Sequence, residues 1–208
     1  MSRWEPNARG RLERAALELF VEQGFAETTV PQITARAGLT TRTFFRHFAD
    51  KREVLFGYEA ELPGVVAALM AEAPASLDPM SLLERGLDTV VTTRFAGTLE
   101  YLTVKRAVVE SDEGLREREL RKQSILSDAI SAGFRERGVD PLTAMLAAQL
   151  SVSVLFVAVD AWIDQNGERS LHDLLHDSFA AVHAVIGSAG SSTVEPARAI
   201  AADGELDR

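Results

Sequence analysis

At 208 residues, with 46% hydrophobic and 25% charged positions, the chain is long enough for a small domain joined to a larger one and too apolar to be mainly disordered. Cysteine is absent, which excludes a disulfide framework and a thiolate zinc site. The net charge of −9 is unevenly spread: residues 1–52 carry nine basic and six acidic side chains, the remainder 13 and 25, so a positive head on a negative body would turn toward a polyanion.

The opening Met1-Ser2-Arg3-Trp4-Glu5-Pro6 has no apolar run of the signal-peptide kind, and a cytoplasmic protein is expected. Arg3, Arg9 and Arg11 could form an arm for an adjacent minor groove, or simply a solvated start. A first helix is expected over 7–23, with Leu12, Ala15, Ala16, Leu19 and Phe20 on one face and Gly24 as its stop. Thr29 caps a short second helix with Pro31 in its first turn, and Gly38 ends it. Thr40 caps a third helix reaching His47. Asp50-Lys51-Arg52-Glu53 reads as a capping box opening a fourth, which is expected to run toward Leu69 with a bend at Pro63 and Gly64.

Further along, Asp78-Pro79 and Asp140-Pro141 each place a capping acid before a proline suited to the first helical position, and Ser170 through Asp173 resembles a capping box. The stretch from Ala144 to Ile163 is nearly long enough to span a bilayer, but Gln149, Ser151, Ser153 and Asp160 interrupt it, so a buried core helix is expected and no membrane partner. From Gly187 onward small and polar residues replace the helical period. The expected fold is all-α with about nine helices: an N-terminal domain over 1–56, a larger helical domain over 57–187, and a disordered tail over 188–208. No strand alternation and no internal repeat stand out.

Residues 29–48 carry the most specific signal. Two short helices flank Gly38-Leu39-Thr40, and Val30, Ile33, Ala37, Leu39, Phe44 and Phe48 supply a small core that sets the angle between them, as in a helix-turn-helix. The outer face of the second helix is then free to enter a major groove. It carries Thr40, Thr41, Arg42, Thr43, Arg46 and His47, all hydrogen-bond donors. The competing reading is two packed helices with a solvated polar face.

The run from Thr29 to Leu55 joins an Ala-Gly turn, an aromatic pair, His47-Phe48 and the following Lys51-Arg52-Glu53. In this it resembles the signature of the tetracycline-repressor (TetR) family, over roughly residues 9–56. The resemblance implies that Thr29, His47 and Lys51 contact phosphates, which positions without reading sequence. It implies that Thr41, Arg42 and Thr43 face base edges, Arg42 with the fork to grip a guanine; Arg36 and Thr40 complete the expected DNA surface. Where the family commonly has a tyrosine, this chain has Phe45, which loses a hydroxyl contact to phosphate and leaves only van der Waals packing. The implied partners are a palindromic double-stranded operator, a second copy of the chain and a small-molecule effector, with no cofactor.

In the body, the helix over 141–165 is apolar almost all round and must be covered on several sides. The resemblance suggests that it and the next helix form a dimer interface, through Leu142, Met145, Leu146, Leu171, Leu175, Phe179, Val182 and Ile186; an intramolecular core would show the same pattern. Gln149, Ser153, Asp160 and Asp164 share a bearing, as a polar cavity lining, contacts across a dimer, or a thin solvated edge. With Phe95, Tyr101, Phe134, Phe156 and Trp162 they are candidate walls for an effector pocket. His172, His176 and His183 also share a face, the first two at metal-ligand spacing, or as edge residues of an amphipathic helix; no metal is assigned. No phosphate-binding, nucleophile-elbow or zinc-protease motif occurs. A helical enzyme and an interaction module without DNA binding are the alternatives to a ligand-responsive repressor.

Overall fold

In the computed structural model, residues 7–57 and 61–189 are described, with side chains through residue 186. They form ten helices and, among the described residues, no strand: α1 (Ala8–Gln23), α2 (Val30–Arg36), α3 (Thr41–His47), α4 (Glu53–Phe56), α5 (Leu62–Glu72), α6 (Pro79–Arg94), α7 (Leu99–Glu110), α8 (Glu113–Glu136), α9 (Pro141–Asp164) and α10 (Leu171–Ala189). The all-α expectation stands. Arg3 and residues 190–208 of the expected tail lie outside the described residues, while Ser188 and Ala189 belong to α10.

The helix starts follow the local chemistry. Asp78 accepts from Ser81 N, and Asp140 from the amides of Leu142 and Thr143, each satisfying donors that have no partner inside the helix. The expected fourth helix is two: α4 ends at Phe56 and α5 begins at Leu62, with Pro63 in its opening turn. Proline lacks the amide that a helix interior requires but fits a first turn without loss, so Pro63 starts a helix here instead of bending one.

Two apolar clusters organise the chain. The first gathers Leu12, Leu19, Phe20, Ile33, Phe44, Phe48 and Val54–Phe56 from α1–α4, and also Val108, Val109 and Leu115 from α7 and α8. The second lies among α5, α6, α8, α9 and α10, around Phe134, Ala148, Leu155 and Leu175. Gly133 lets α5 come close to α8, since a Cβ there would lie 2.9 Å from Met70 Cγ. By length and apolarity α9 would cross a membrane; here Ala144, Ala148, Val152, Leu155 and Ala158 are buried in the second cluster. Polar ties join the two parts. Arg118 and Lys122 of α8 reach Glu53, Arg118 also reaches Asp50, and Tyr101 donates to Leu55 O at 2.9 Å.

Candidate functional site

The α2–α3 unit is fixed by its own caps. Thr29 accepts from Gln32 N while the Gln32 side chain accepts from Thr29 N at 2.8 Å, a reciprocal capping box. Gly38, at φ 63°, turns the chain out of α2; Gly38 N bonds Ala35 O and Leu39 N bonds Thr34 O at 2.8 Å, the paired closure of a left-handed helix end. Thr40 then caps α3 by accepting from Thr43 N at 3.2 Å. Phe44, Phe48, Ile33 and Ala37 are buried beneath, with Val30 and Leu39 partly buried against them.

This leaves the opposite side of α3 in solvent. Thr41, Arg42, Arg46 and His47 are exposed, and Phe45 is 59% exposed, edge-on to the buried Phe44 ring. Arg42 has no hydrogen bond or ion pair among the described residues, so its guanidinium can meet a partner without breaking an existing contact. Thr40 and Thr43 face each other at 3.0 Å between hydroxyls, so their oxygens already serve the helix start.

Two expected DNA residues are engaged within the fold. Arg36 grips Glu22 of α1 through both guanidinium nitrogens, at 2.9 and 2.6 Å, and Glu18 at 3.2 Å; these hydrogen bonds, which Glu22 and Glu18 accept, raise its pKa further above the arginine range. Lys51 Nζ donates to Phe25 O, Ala26 O and Thr28 O at 2.7, 3.1 and 2.8 Å and sits 4.4 Å from the Phe25 ring centroid. Burial, with a smaller push from Arg52, lowers the Lys51 pKa. All three ammonium donors are thus used in clamping the α1–α2 turn. Of the expected arm, Arg9 and Arg11 lie in α1: Arg9 pairs with Glu13 and Glu61, and Arg11 donates to Ala37 O.

The region from α1 to α4 matches the family model described as "Bacterial regulatory proteins, tetR family" over residues 13–57. The chain is also 32% identical to the HTH-type transcriptional regulator TcmR of Streptomyces glaucescens over 139 residues, 64% of this chain and 61% of TcmR. Residues 13–57 thus carry the domain that this family model describes, and the chain as a whole is similar to a regulator that carries it.

The match thus spans about three fifths of TcmR's length. Among solved structures, SmeT, the repressor of the Stenotrophomonas maltophilia multidrug efflux pump SmeDEF, superposes with a TM-score of 0.56 at 19% identity, covering 85% of this chain and 89% of SmeT. The TetR-family repressor FadR of Thermus thermophilus, solved with lauroyl-CoA, superposes with a TM-score of 0.52 at 24% identity over 92% and 99% of the two chains. At these identities the likeness shows a shared fold.

The body of the chain holds an apolar cavity of about 200 Å³ between α5, α6, α8 and α9, walled by Val66, Leu69, Met70, Leu83, Leu87 and Ile130. Glu72, Arg85 and Thr89 are its exposed polar members. None of the expected wall residues lines it. Phe95 and Phe134 are core, Phe156 and Trp162 pack partly buried against that core, and Tyr101 bridges to Leu55. Gln149, Ser153, Asp160 and Asp164 are exposed, with Arg106 reaching both aspartates, so their shared bearing is a solvated edge in the single chain. Large aromatic rings fill space; the cavity opens where small and aliphatic residues of α5 and α6 leave it. That signal was present in the unbroken apolar run of α5.

The expected interface residues also separate. Leu171, Leu175 and Phe179 are buried against α6 and α9, and Val182 packs partly buried beside them; these are the chain's own core, the outcome that the ambiguous spacing allowed. Leu142, Met145, Leu146 and Ile186 are exposed, joined by Val157 and Val185.

Proposed function

We propose that this chain is a homodimeric transcriptional repressor that reads a palindromic operator through α3 and is released from it by an apolar small molecule. The observation that carries the reading is the outward face of α3, where Arg42, with Thr41 and His47, stands ready beside a core that fixes the helix from behind. Two copies related by a twofold axis would present two such helices to successive half-sites. The exposed Leu142, Met145, Leu146 and Val157 of α9 with Val185 and Ile186 of α10 are the surface offered for that pairing, because large apolar side chains exposed together can mark an association surface. Thr29 and His47 would contact phosphates, and the cellular setting would be the cytoplasm, where the DNA is. Relatives carry regulator names, which supports a non-catalytic role for this chain.

The cavity suits an apolar effector. Its volume exceeds the roughly 150 Å³ that accommodates benzene; SmeT has been solved with triclosan, and FadR with lauroyl-CoA, of which the acyl chain is apolar. The route from cavity to DNA runs along α8. Ile130 contributes to the cavity wall, and Lys122 and Arg118 hold Glu53 and Asp50 at the head of α4. At 1.5 Å per residue these points lie about 12–18 Å apart on one helix. An effector acts only through tighter binding to the released state. Selection of bound duplexes from random DNA tests the reading: enrichment of an inverted repeat with half-sites about one helical turn apart is expected, and no enrichment at low salt would refute it.

A further inference from the structure

His172 and His176 stand four residues apart at the start of α10, which puts both imidazoles on one side of the helix. Their rings lie 4.5 Å apart, centroid to centroid. Asp88 of α6 faces them. Its Oδ1 is 2.9 Å from His172 Nε2, is shielded from solvent and takes no hydrogen bond there. One donor atom from each of Asp88, His172 and His176 falls within 4.8 Å of the other two.

We propose that Asp88, His172 and His176 form a site for a divalent transition-metal ion, with zinc as its reference occupant. Two imidazoles and one carboxylate are the donor set that zinc and its neighbours favour, whereas calcium and magnesium take oxygen donors. A tetrahedral ion with bonds of about 2.0–2.2 Å holds its donors about 3.3 Å apart, so the widest separation must close by at most about 1.5 Å, while the Asp88–His172 pair, at 2.9 Å, opens slightly. Both histidines are exposed and can rotate that far without disturbing the core, and a water would complete the fourth position. His172 Nδ1 lies 3.7 Å from Asp173 Oδ1, and Asp173 N is bonded to Ser170 Oγ, which places a carboxylate to orient the ring from behind.

A plain ion pair accounts for His172 beside Asp88. It does not account for His176, which has no hydrogen-bond or ion-pair partner among the described residues and is turned to the same carboxylate group. His183 is outside the set, 3.8 Å from Glu84. Because the ligands come from α6 and α10, an ion there would tie the two helices together.

The test uses the untagged full chain, titrated with zinc by calorimetry and with cobalt followed by visible absorption. One ion per chain is expected, with His176→Ala and Asp88→Asn each weakening binding at least tenfold and His183→Ala leaving it unchanged. Zinc should raise the melting temperature of the parent and of His183→Ala but not of His176→Ala, a readout that does not depend on DNA binding. The proposal is overturned if binding is not saturable, if the stoichiometry is half an ion per chain, or if His176→Ala and Asp88→Asn bind like the parent.

Discussion

Replacing Lys51 with methionine separates two roles that one side chain has been given. Methionine keeps the length of the side chain and its packing on Phe25 but removes the ammonium that binds Phe25 O, Ala26 O and Thr28 O. Each of these is a charge-assisted bond, and the carbonyls left behind are partly buried in the α1–α2 turn. Water can reach some of them, so the loss should fall near the middle of the range for such groups, about 2 kcal/mol. For a chain of this size that is a fall of about 4–8 °C in melting temperature, measured by scanning calorimetry in the absence of DNA. A phosphate contact alone predicts something different: unchanged melting and a salt dependence of DNA binding flatter by about one unit. A variant melting within 1 °C of the parent, by this estimate, would refute the clamp.

Glu53 offers a pH test of the tie between the two parts. Burial opposes its ionisation, but hydrogen bonds from Lys122 and Arg118 outweigh that and hold its pKa below the usual glutamate value. Its stabilisation is therefore full above the unfolded pKa and disappears as pH falls through the lower folded one. Glu53→Gln should cost about 1–3 kcal/mol at pH 7, and the gap from the parent should close in urea titrations run below about pH 4; a gap independent of pH would contradict this. At the proposed dimer surface, Leu146→Glu should convert the protein to a monomer in sedimentation velocity while its helical circular dichroism persists, and an unchanged dimer would remove Leu146 from the interface.

The DNA-binding end was legible because its determinants are local. Thr29, Gly38 and Thr40 act through backbone groups within a few residues, and the apolar positions of α1–α4 pack on one another. What escaped depended on distant partners. Arg36 looks like a free cation until Glu18 and Glu22 of α1 are placed beside it, and Lys51 until the α1–α2 turn folds over it. The body was harder to read for the opposite reason. A helix apolar on nearly every face gives no bearing, so α9 did not reveal which leucines are core and which are surface. Aromatic residues drew attention as cavity walls, yet Phe95 and Phe134 are the residues that fill the interior, and the opening lies among aliphatic side chains of α5 and α6. Asp88 carried no signal at all, since its meaning depends on α10 arriving beside α6.

Whether the exposed face of α3 reads DNA is decided by Arg42→Ala. Fluorescence anisotropy would compare parent and variant on the selected operator and on a scrambled duplex. The variant should fold and melt like the parent, lose about 5- to 150-fold in operator affinity, as expected for a bidentate base contact, and bind the scrambled duplex little changed. Equal operator affinity in parent and variant would mean that α3 does not read the bases through Arg42.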